Sequence, residues 1–418
     1  MNKTMLTIFS SCMFAMAINL HGGETKIADK ENLGEQLIQT AMKANEIAFS
    51  FYKQKAAGKQ ENFFFSPYSM RAAFAMAREG AKGKTAAEMD KVFSFPSENA
   101  GMRLEMRSMA EAAAQAAESS EFSDANSFWA DISHKFLPEY VSSLTENYHA
   151  AAENADFAED TENARKKINS WTSDRTNGLI KDLFTEGSLF PDTKLVLVNA
   201  VYFKGMWQDA FNKRDSFESD FTLNSGKKTQ TMFMRHLEAV KFPYYQTEDA
   251  QYLSMPYKGS HSSQKGLEMM IILPKDTLSF AKTEKMLSPN HINEIRKQMQ
   301  GEKVRVFLPK FTFSSSHGLN SDLKAMGMPL AFSNFADFSG MTGKKDLKIG
   351  YAIQKAFIDV SEEGTEAAAA TGIAMARTTA LPVMPVIFRA DRPFIFLIRD
   401  IKTGLILFIG KLEKPAAA

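Results

Sequence analysis

Histidine and serine side chains carry much of the catalytic and metal-binding chemistry of proteins, so their spacing is informative. The histidines lie at positions 21, 134, 149, 236, 261, 291 and 317. No pair has the HExxH spacing or another metal-ligand spacing, and no G-x-S-x-G nucleophile elbow occurs. The run Ser314-Ser315-Ser316-His317 is more typical of a polar turn than of a nucleophile with its base. We therefore predict no catalytic residues, no metal site and no cofactor.

One stretch invites a phosphate-binding interpretation. Gly80-Ala81-Lys82-Gly83-Lys84-Thr85 ends like a P-loop, but that motif needs glycine five positions before Gly83. Arg78 occupies that position, and no strand pattern precedes it. The stretch is better explained as the end of one helix and the start of the next.

The charge pattern gives no argument for a nucleic-acid partner. Fifty basic residues nearly balance 49 acidic ones, so no single-sign field is expected. The short basic runs at 165–167 and at Lys227-Lys228 are typical of solvated faces, with a heparin-binding patch as the alternative. The 24 methionines are scattered among apolar positions, where they fill core space.

The amino terminus has the features of a secretory signal. A basic start at Lys3 precedes an apolar run over residues 5–17, which ends in Ala15-Met16-Ala17, an A-x-A cleavage pattern. The run is too short to span a membrane. We expect a signal peptide over residues 1–17, with cleavage as late as about residue 23, and a secreted product. The only cysteine, Cys12, would leave with it.

A long segment near the carboxyl terminus, residues 362–393, has little bulk and two prolines, Pro382 and Pro385. Strand-like patterns flank it, alternating before it at 356–360 and continuously apolar after it at 394–398 and 405–409. A loop of this length in a compact domain is usually functional. Its alanines favour either an exposed linker or short helix, or a segment small enough to enter a crowded sheet.

The remaining pattern predicts an α+β domain. Apolar residues recur at helical spacing over 33–51, and Ser66 and Pro67 suit the cap and first turn of a helix that ends at Gly80. Residues 195–203 form a strand that is apolar on both faces, followed by a turn at 205–207. Asn199 lies inside this strand, and a buried amide requires hydrogen-bond partners. A hairpin turns at Asn224-Ser225-Gly226, and strands follow at 239–245, 253–257, 268–274 and 303–309.

Together these motifs resemble the serpin family over roughly residues 33–415. The motifs that carry the resemblance are ordered along the chain: Asn62-Phe63-Phe64-Phe65-Ser66-Pro67-Tyr68-Ser69, Val198-Asn199-Ala200-Val201-Tyr202-Phe203-Lys204-Gly205-Met206-Trp207, Leu308-Pro309-Lys310-Phe311, Phe332-Ser333-Asn334-Phe335-Ala336-Asp337-Phe338-Ser339-Gly340, Gln354-Lys355-Ala356, Glu362-Glu363-Gly364-Thr365-Glu366-Ala367-Ala368-Ala369-Ala370-Thr371 and Arg392-Pro393-Phe394. The resemblance implies a single serpin domain over 33–415, with three β-sheets, about nine helices and an exposed reactive loop near the carboxyl terminus.

The resemblance also implies a mechanism. Family members offer the loop to a serine protease, which attacks it and forms an acyl-enzyme ester. The cut loop then enters the central sheet as a new strand and distorts the trapped protease. An inserting loop needs a hinge without bulk, and the resemblance assigns that hinge to Glu362, Gly364, Thr365, Glu366, Ala367, Ala368, Ala369 and Ala370.

The sheet must open to accept the loop. The family has a polar cluster beneath the strands that separate, here called the sheet-opening cluster, which matches Ser66, Ser69, Asn199 and Gln354. Trp207 matches the residue beneath the point where the loop first enters. Gln354 departs from the histidine usual at its position, but glutamine both donates and accepts hydrogen bonds. A Val-Pro-Met-Met pattern of the family reads Thr231-Met232-Phe233-Met234 here, which bears on local packing.

Family spacing from Glu362 places the reactive bond between Thr378 and Thr379. A small β-branched residue before the bond favours an elastase-like serine protease. A hinge shorter by one residue would place the bond after Arg377 and select a trypsin-like protease.

Three functions of different class remain open from the sequence. The first is a secreted, monomeric inhibitor of serine proteases, extracellular or periplasmic, with no membrane or nucleic-acid partner. The second is a non-inhibitory serpin that acts as a carrier, chaperone or plain substrate. A hydrolase is the third, and no visible triad supports it.

Overall fold

The computed structural model describes residues 27–260, 265–365 and 384–416. Its α-helices are α1 Ile27–Lys55, α2 Pro67–Gly80, α3 Gly83–Phe93, α4 Asn99–Ala116, α5 Pro138–Tyr148, α6 Thr161–Arg175, α7 Thr277–Met286, α8 Pro289–Gln298, α9 Asn320–Ala325 and α10 Ser339–Thr342. Short 3-10 helices cover Lys213–Asp215 and Leu330–Phe332.

The strands of the described residues alternate with these helices along the chain. They are β1 Phe63–Phe65, β2 Ser120–Asp131, β3 Ala151–Ala155, β4 Leu195–Met206, β5 Phe217–Thr222, β6 Lys228–Arg235, β7 Val240–Gln246, β8 Ala250–Pro256, β9 Leu267–Pro274, β10 Gln300–Pro309, β11 Phe311–Gly318, β12 Tyr351–Val360, β13 Gly364–Thr365, β14 Val386–Arg389, β15 Phe394–Asp400 and β16 Ile406–Leu412.

The smaller sheet has the strand order β11-β12-β4-β2-β3, and β13 pairs with the end of β4. β4 is its centre, antiparallel to β2 and parallel to β12. Both faces of β4 are buried. Leu197, Val201 and Phe203 face the main core with α2, whereas Val196 and Val198 pack with Trp129 in a second cluster. This confirms the prediction of a strand that is apolar on both sides.

The larger sheet has the order β1-β16-β15-β9-β8-β7-β10-β6-β5, with β14 attached to β10. The predicted α+β architecture is therefore confirmed, with one difference in how its strands are divided. The three expected sheets form two hydrogen-bonded sheets in the described residues, because β10 pairs with β7 at one end and with β6 and β14 at the other.

Two local predictions were wrong. β4 continues to Met206 where a turn was expected, because β2 pairs with it as far as Gly205 and β13 pairs with Gly205 and Met206. Ser314 to His317 lie in strand β11 and not in a polar turn, because β12 pairs with all four residues. His317 is buried there, with Nε2 3.0 Å from the Phe64 carbonyl oxygen, and burial lowers the pKa of its imidazole to about 4.

Candidate functional site

The amino terminus of α2 holds the first two residues of the sheet-opening cluster. Ser66 caps the helix by accepting a hydrogen bond from the Ser69 amide (3.0 Å), and Pro67 occupies the first turn, as the sequence predicts. The Ser66 hydroxyl also donates to the Leu407 carbonyl oxygen (2.6 Å). The cap therefore ties the helix start to the larger sheet.

Asn199 and Gln354 complete the predicted cluster and face each other across two strands. Asn199 on β4 is paired in register with Gln354 on β12, and both are fully buried. The Gln354 Nε2 amide donates to Asn199 Oδ1 and to the Ser66 carbonyl oxygen (2.9 Å), while its Oε1 accepts from the Ser66 amide (2.8 Å). The Asn199 Nδ2 amide donates to the Ser69 hydroxyl. The structure therefore brings all four predicted residues into one hydrogen-bonded network.

Sequence reasoning missed two members of this network, Asp124 and Asn126 on β2. Asn199 Nδ2 donates to Asn126 Oδ1 (2.5 Å), and Asn126 Nδ2 donates to Asp124 Oδ1 (2.8 Å). The Ser69 hydroxyl donates to the same carboxylate oxygen. Two polar residues spaced by two positions, just before the apolar residues 128–130 of β2, were the available signal, because that spacing puts both on one face.

Burial raises the pKa of the Asp124 carboxyl to about 6, although the hydrogen bonds from Ser69, Asn126 and Asn199 favour its ionised form. A carboxylic acid with this value changes charge close to neutral pH. The network thus contains a titrating group even though glutamine replaces the histidine usual in the family.

The network spans the seam between β4 and β12. Gln354 lies on the β12 side, whereas Asn199, Asn126 and Asp124 lie on the β4–β2 side. Both sides bond to α2 beneath the sheet, through Ser66 and Ser69 respectively. Separating β4 from β12 must therefore break the bond between Gln354 and Asn199.

The start of the predicted hinge is already bonded to the sheet. Gly364 and Thr365 form β13, which runs antiparallel to β4 beside Met206 and Gly205. Gly364 has φ = 141°, and a Cβ atom at this position would lie 2.1 Å from the Gly205 carbonyl oxygen. Only glycine can therefore fill this position without displacing the backbone of β4.

Charged and polar side chains hold the two residues before β13. The Glu362 carboxylate accepts from the Ser216 hydroxyl (2.7 Å) and pairs with Lys310 (3.0 Å). Burial alone would raise the pKa of Glu362, but these bonds outweigh it and hold that pKa below its ordinary value. Glu363 pairs with Lys213 (2.7 Å).

Trp207 lies beneath this segment, at the end of β4. Its ring stacks on Tyr257 with centroids 4.7 Å apart. The backbone amide of Trp207 donates to the Glu363 carbonyl oxygen (2.9 Å), and its indole nitrogen donates to the Ser361 carbonyl oxygen (3.1 Å). Trp207 therefore contacts the residues on either side of Glu362 directly.

The other predicted residues of the loop lie outside the described part of the chain. These are hinge residues Glu366, Ala367, Ala368, Ala369 and Ala370, the reactive-bond residues Thr378 and Thr379, and the alternative Arg377. Within the described ranges, no group of three or more His, Cys, Asp or Glu side chains could hold a metal ion. No helix in those ranges is both long and apolar enough to cross a membrane.

The structure thus combines a sheet that carries a buried polar network between two neighbouring strands with a segment, β13, that pairs with the end of one of them. Comparison with known proteins identifies the class of protein. The family described as serpin (serine protease inhibitor) matches residues 42–415. The chain belongs to the serpin family.

Similar proteins come from distant organisms. An uncharacterized serpin-like protein of Thermococcus kodakarensis is 40% identical over 378 residues, covering 89% of this chain and 84% of that protein. Leukocyte elastase inhibitor A of Mus musculus is 39% identical over 363 residues, covering 85% of this chain and 93% of that protein.

Solved serpin structures match in fold. Serpin48 of the insect Tenebrio molitor superposes with a TM-score of 0.79 at 31% identity, covering 91% of this chain and 99% of that one. Human thyroxine-binding globulin, a non-inhibitory member, superposes with a TM-score of 0.81 at 26% identity, with the same coverage. Overall fold therefore does not separate inhibitory from non-inhibitory serpins.

Proposed function

We propose that this serpin inhibits serine proteases by inserting its cleaved reactive loop between β4 and β12. The observation that carries the proposal is the pairing of β13. β2 occupies one edge of β4 as far as Gly205, so β12 and β13 share the other edge. A loop that continued along β4 from β13 would have to replace β12 at that edge, and the β4–β12 seam would open.

The residue types of the hinge support this path. Continuing the β13 register puts Thr371 opposite Asn199 and Glu366 opposite Lys204. Side chains alternate between faces along a strand, and Asn199 points toward α2. In the inserted loop, the residues on that buried face would be Thr365, Ala367, Ala369, Thr371, Ile373 and Met375. The charged Glu366 falls on the opposite face, beside the partly exposed Lys204.

We place the reactive bond between Thr378 and Thr379, with the bond after Arg377 as the alternative. The small β-branched Thr378 suits an elastase-like protease, and a relative 39% identical is named a leukocyte elastase inhibitor. The signal-like residues 1–17 support secretion of a monomeric domain over residues 33–415, extracellular or periplasmic.

The test mixes the protein with pancreatic elastase and, separately, with trypsin. Inhibition by this mechanism leaves a covalent complex that survives denaturing electrophoresis, and it releases a carboxyl-terminal peptide. A peptide that begins at Thr379 supports the Thr378 bond, whereas one that begins at Thr378 moves the bond to Arg377. Cleavage by both proteases with no complex would favour the non-inhibitory alternative, which thyroxine-binding globulin and ovalbumin exemplify.

A hinge substitution tests insertion itself. In the continued register Thr365 faces the buried side of the sheet, where a long charged side chain is costly. Thr365→Arg is therefore expected to convert the inhibitor into a substrate that is cleaved at the same bond without complex formation. Lys204→Arg is a control that changes the other face. If Thr365→Arg retained full inhibition, the insertion path proposed here would be wrong.

A further inference from the structure

One face of the larger sheet carries basic side chains from four strands. Residues paired across neighbouring strands point to the same face. Lys303 is paired with Lys241, Arg305 with Ile387, and Phe307 with both Arg235 and Arg389. Residues 303, 305 and 307 alternate along β10 and therefore share that face. We call this surface the basic face and define it by Lys241, Lys303, Arg305, Arg235 and Arg389.

The charges of the basic face are mostly uncompensated. Across the described ranges, only Arg389 of this set has an ion pair, with Asp391 at 3.2 Å. The Nε atoms of Arg235 and Arg305 are buried without a hydrogen-bond partner there. Lys241 and Lys303 stand directly opposite each other, and like charges in such a pair are destabilising. Because the whole chain is close to neutral, this concentration is not a general excess of basic residues.

Aromatic rings fix the guanidinium groups at one end of the basic face. The Arg389 guanidinium lies 5.3 Å from the Phe307 ring centroid, 5.6 Å from Phe233 and 5.9 Å from Phe217. Arg235 lies 4.8 Å from the Phe217 ring. Cation–π contacts of this kind hold the cations in place before any partner arrives, and such preorganisation reduces the entropy lost on binding.

The position of the basic face suggests its occupant. Ile387 and Arg389 belong to β14, which comes directly after the reactive segment in the chain, and Ile387 is 48% exposed. A protease that binds another protein typically covers ~800 Å² of its surface, far more than one peptide bond. A protease engaged at the loop would therefore reach the neighbouring strand and the residues registered with it.

We propose that the basic face is a second contact for the target protease and that it selects proteases with an acidic surface beside the active site. This proposal rests on the proposed function, because it names the same partner. Complementary charge mainly accelerates association and selects between partners. Among the proteases able to cleave the loop, the basic face would therefore favour those with an acidic surface beside the active site.

The first experiment measures binding of a poly-L-glutamate peptide of about twenty residues, independently of any inhibition. The face variant carries Lys241→Gln and Lys303→Gln, and the control carries Lys84→Gln and Lys344→Gln. Both variants lose the same charge at exposed sites. Lys84 lies on α3 and Lys344 follows α10, and both helices pack against α2.

We expect the wild type and the control to bind polyglutamate equally, with affinity falling as salt is added. The face variant should bind at least about five-fold more weakly, since two charge contacts are lost. Equal weakening in both variants, or no binding by the wild type, would overturn the proposal. Binding of heparin but not of polyglutamate would reassign the basic face to a sulfated polysaccharide.

The second experiment compares anionic and cationic trypsin, which share a specificity and differ in surface charge. The measured rate is the loss of intact loop, by cleavage or by complex formation, so a non-inhibitory serpin can be tested as well. The wild type should react faster with the anionic form, and the face variant should lose most of that preference while the control keeps it. The same preference in all three proteins would contradict the proposal without touching the proposed function.

Discussion

Asp124 changes how the sheet-opening cluster responds to pH. In this chain the titrating member is a carboxylic acid on β2, in place of the histidine usual in the family on β12. Its pKa, about 6, lies above the ordinary value of 3.8. The native state then holds this proton more tightly than the unfolded state does. The charge of Asp124 consequently destabilises the native state, from almost nothing below pH 3.8 to its full extent above about pH 6.

Replacing this carboxyl by an amide tests the effect. Asp124→Asn removes the charge, so its stability relative to the wild type should rise between pH 4.5 and pH 7.5 by about 2 kcal/mol. The measurement is the free energy of unfolding in urea for both proteins at the two pH values, so that other titrating groups cancel. Asp174→Asn, at an exposed position on α6, is the control. A constant difference between Asp124→Asn and wild type would refute the assignment.

Single residues were predictable from the sequence where their local context was unusual. Asn199 stands out because it interrupts an apolar strand, and Ser66 because serine precedes proline at a helix start. Asp124 and Asn126 did not stand out, because their partners Ser69 and Asn199 are distant in sequence. Only the pairing of β2 with β4 brings them together.

At the level of elements, β13 depends on one glycine. Gly364→Ala would place a Cβ against the backbone of Gly205, in a φ region that L-residues avoid, and the pairing of β13 with β4 should be lost. The amides of Trp207 and Phe211 donate to Glu363 and Glu362, so hydrogen exchange of residues 205–211 should become faster. The strain should cost roughly 1–3 kcal/mol.

Gly226→Ala is a matched control for this variant. Gly226 also has positive φ, at 79°, but no atom lies within 4 Å of its virtual Cβ. Gly226→Ala therefore introduces the backbone strain of positive φ without a steric clash between the new Cβ and a neighbouring atom. If the two variants exchanged and unfolded alike, the close approach of Gly364 to Gly205 would have no role in holding the hinge.

Elements were predictable where local chemistry and tertiary pairing agree. The turn at Asn224 to Gly226 joins β5 to β6 as its residue types indicate. The polar composition of Ser314–His317 led to the wrong prediction of a turn, because the pairing of β11 with β12 makes these residues a strand. The prediction of a turn at the end of β4 was also wrong. Gly205 does not form a turn there; it allows the rings of Phe203 and Tyr257 to approach the backbone closely.

At the level of the whole molecule, insertion predicts that cleavage stabilises the protein. About ten new backbone hydrogen bonds at ~1 kcal/mol each should raise the unfolding temperature by on the order of 10 °C. The measurement compares intact and loop-cleaved protein by calorimetry. Cleaved Thr365→Arg is the control and should show little increase. A cleaved wild type that melts with the intact protein would exclude insertion.

The overall architecture could not be derived from periodicity alone, which indicates an α+β domain and nothing finer. The resemblance of ordered motifs supplied the fold. It could not supply the joining of strands through β10, because register across a sheet depends on residues far apart in sequence.

One consequence of the larger sheet concerns the order in which the chain can fold. β1, near the amino terminus, pairs with β16, and Phe63 lies opposite Lys411. The Asn45 side chain on α1 bonds to the backbone of Gly404 and Ile406, and Lys411 donates to the carbonyl oxygens of Ala56 and Lys59. β1 therefore lacks its strand partner, and α1 several of its hydrogen bonds, until β16 has been synthesised. The larger sheet cannot close before then, and contacts that span some 350 residues make that closure slow.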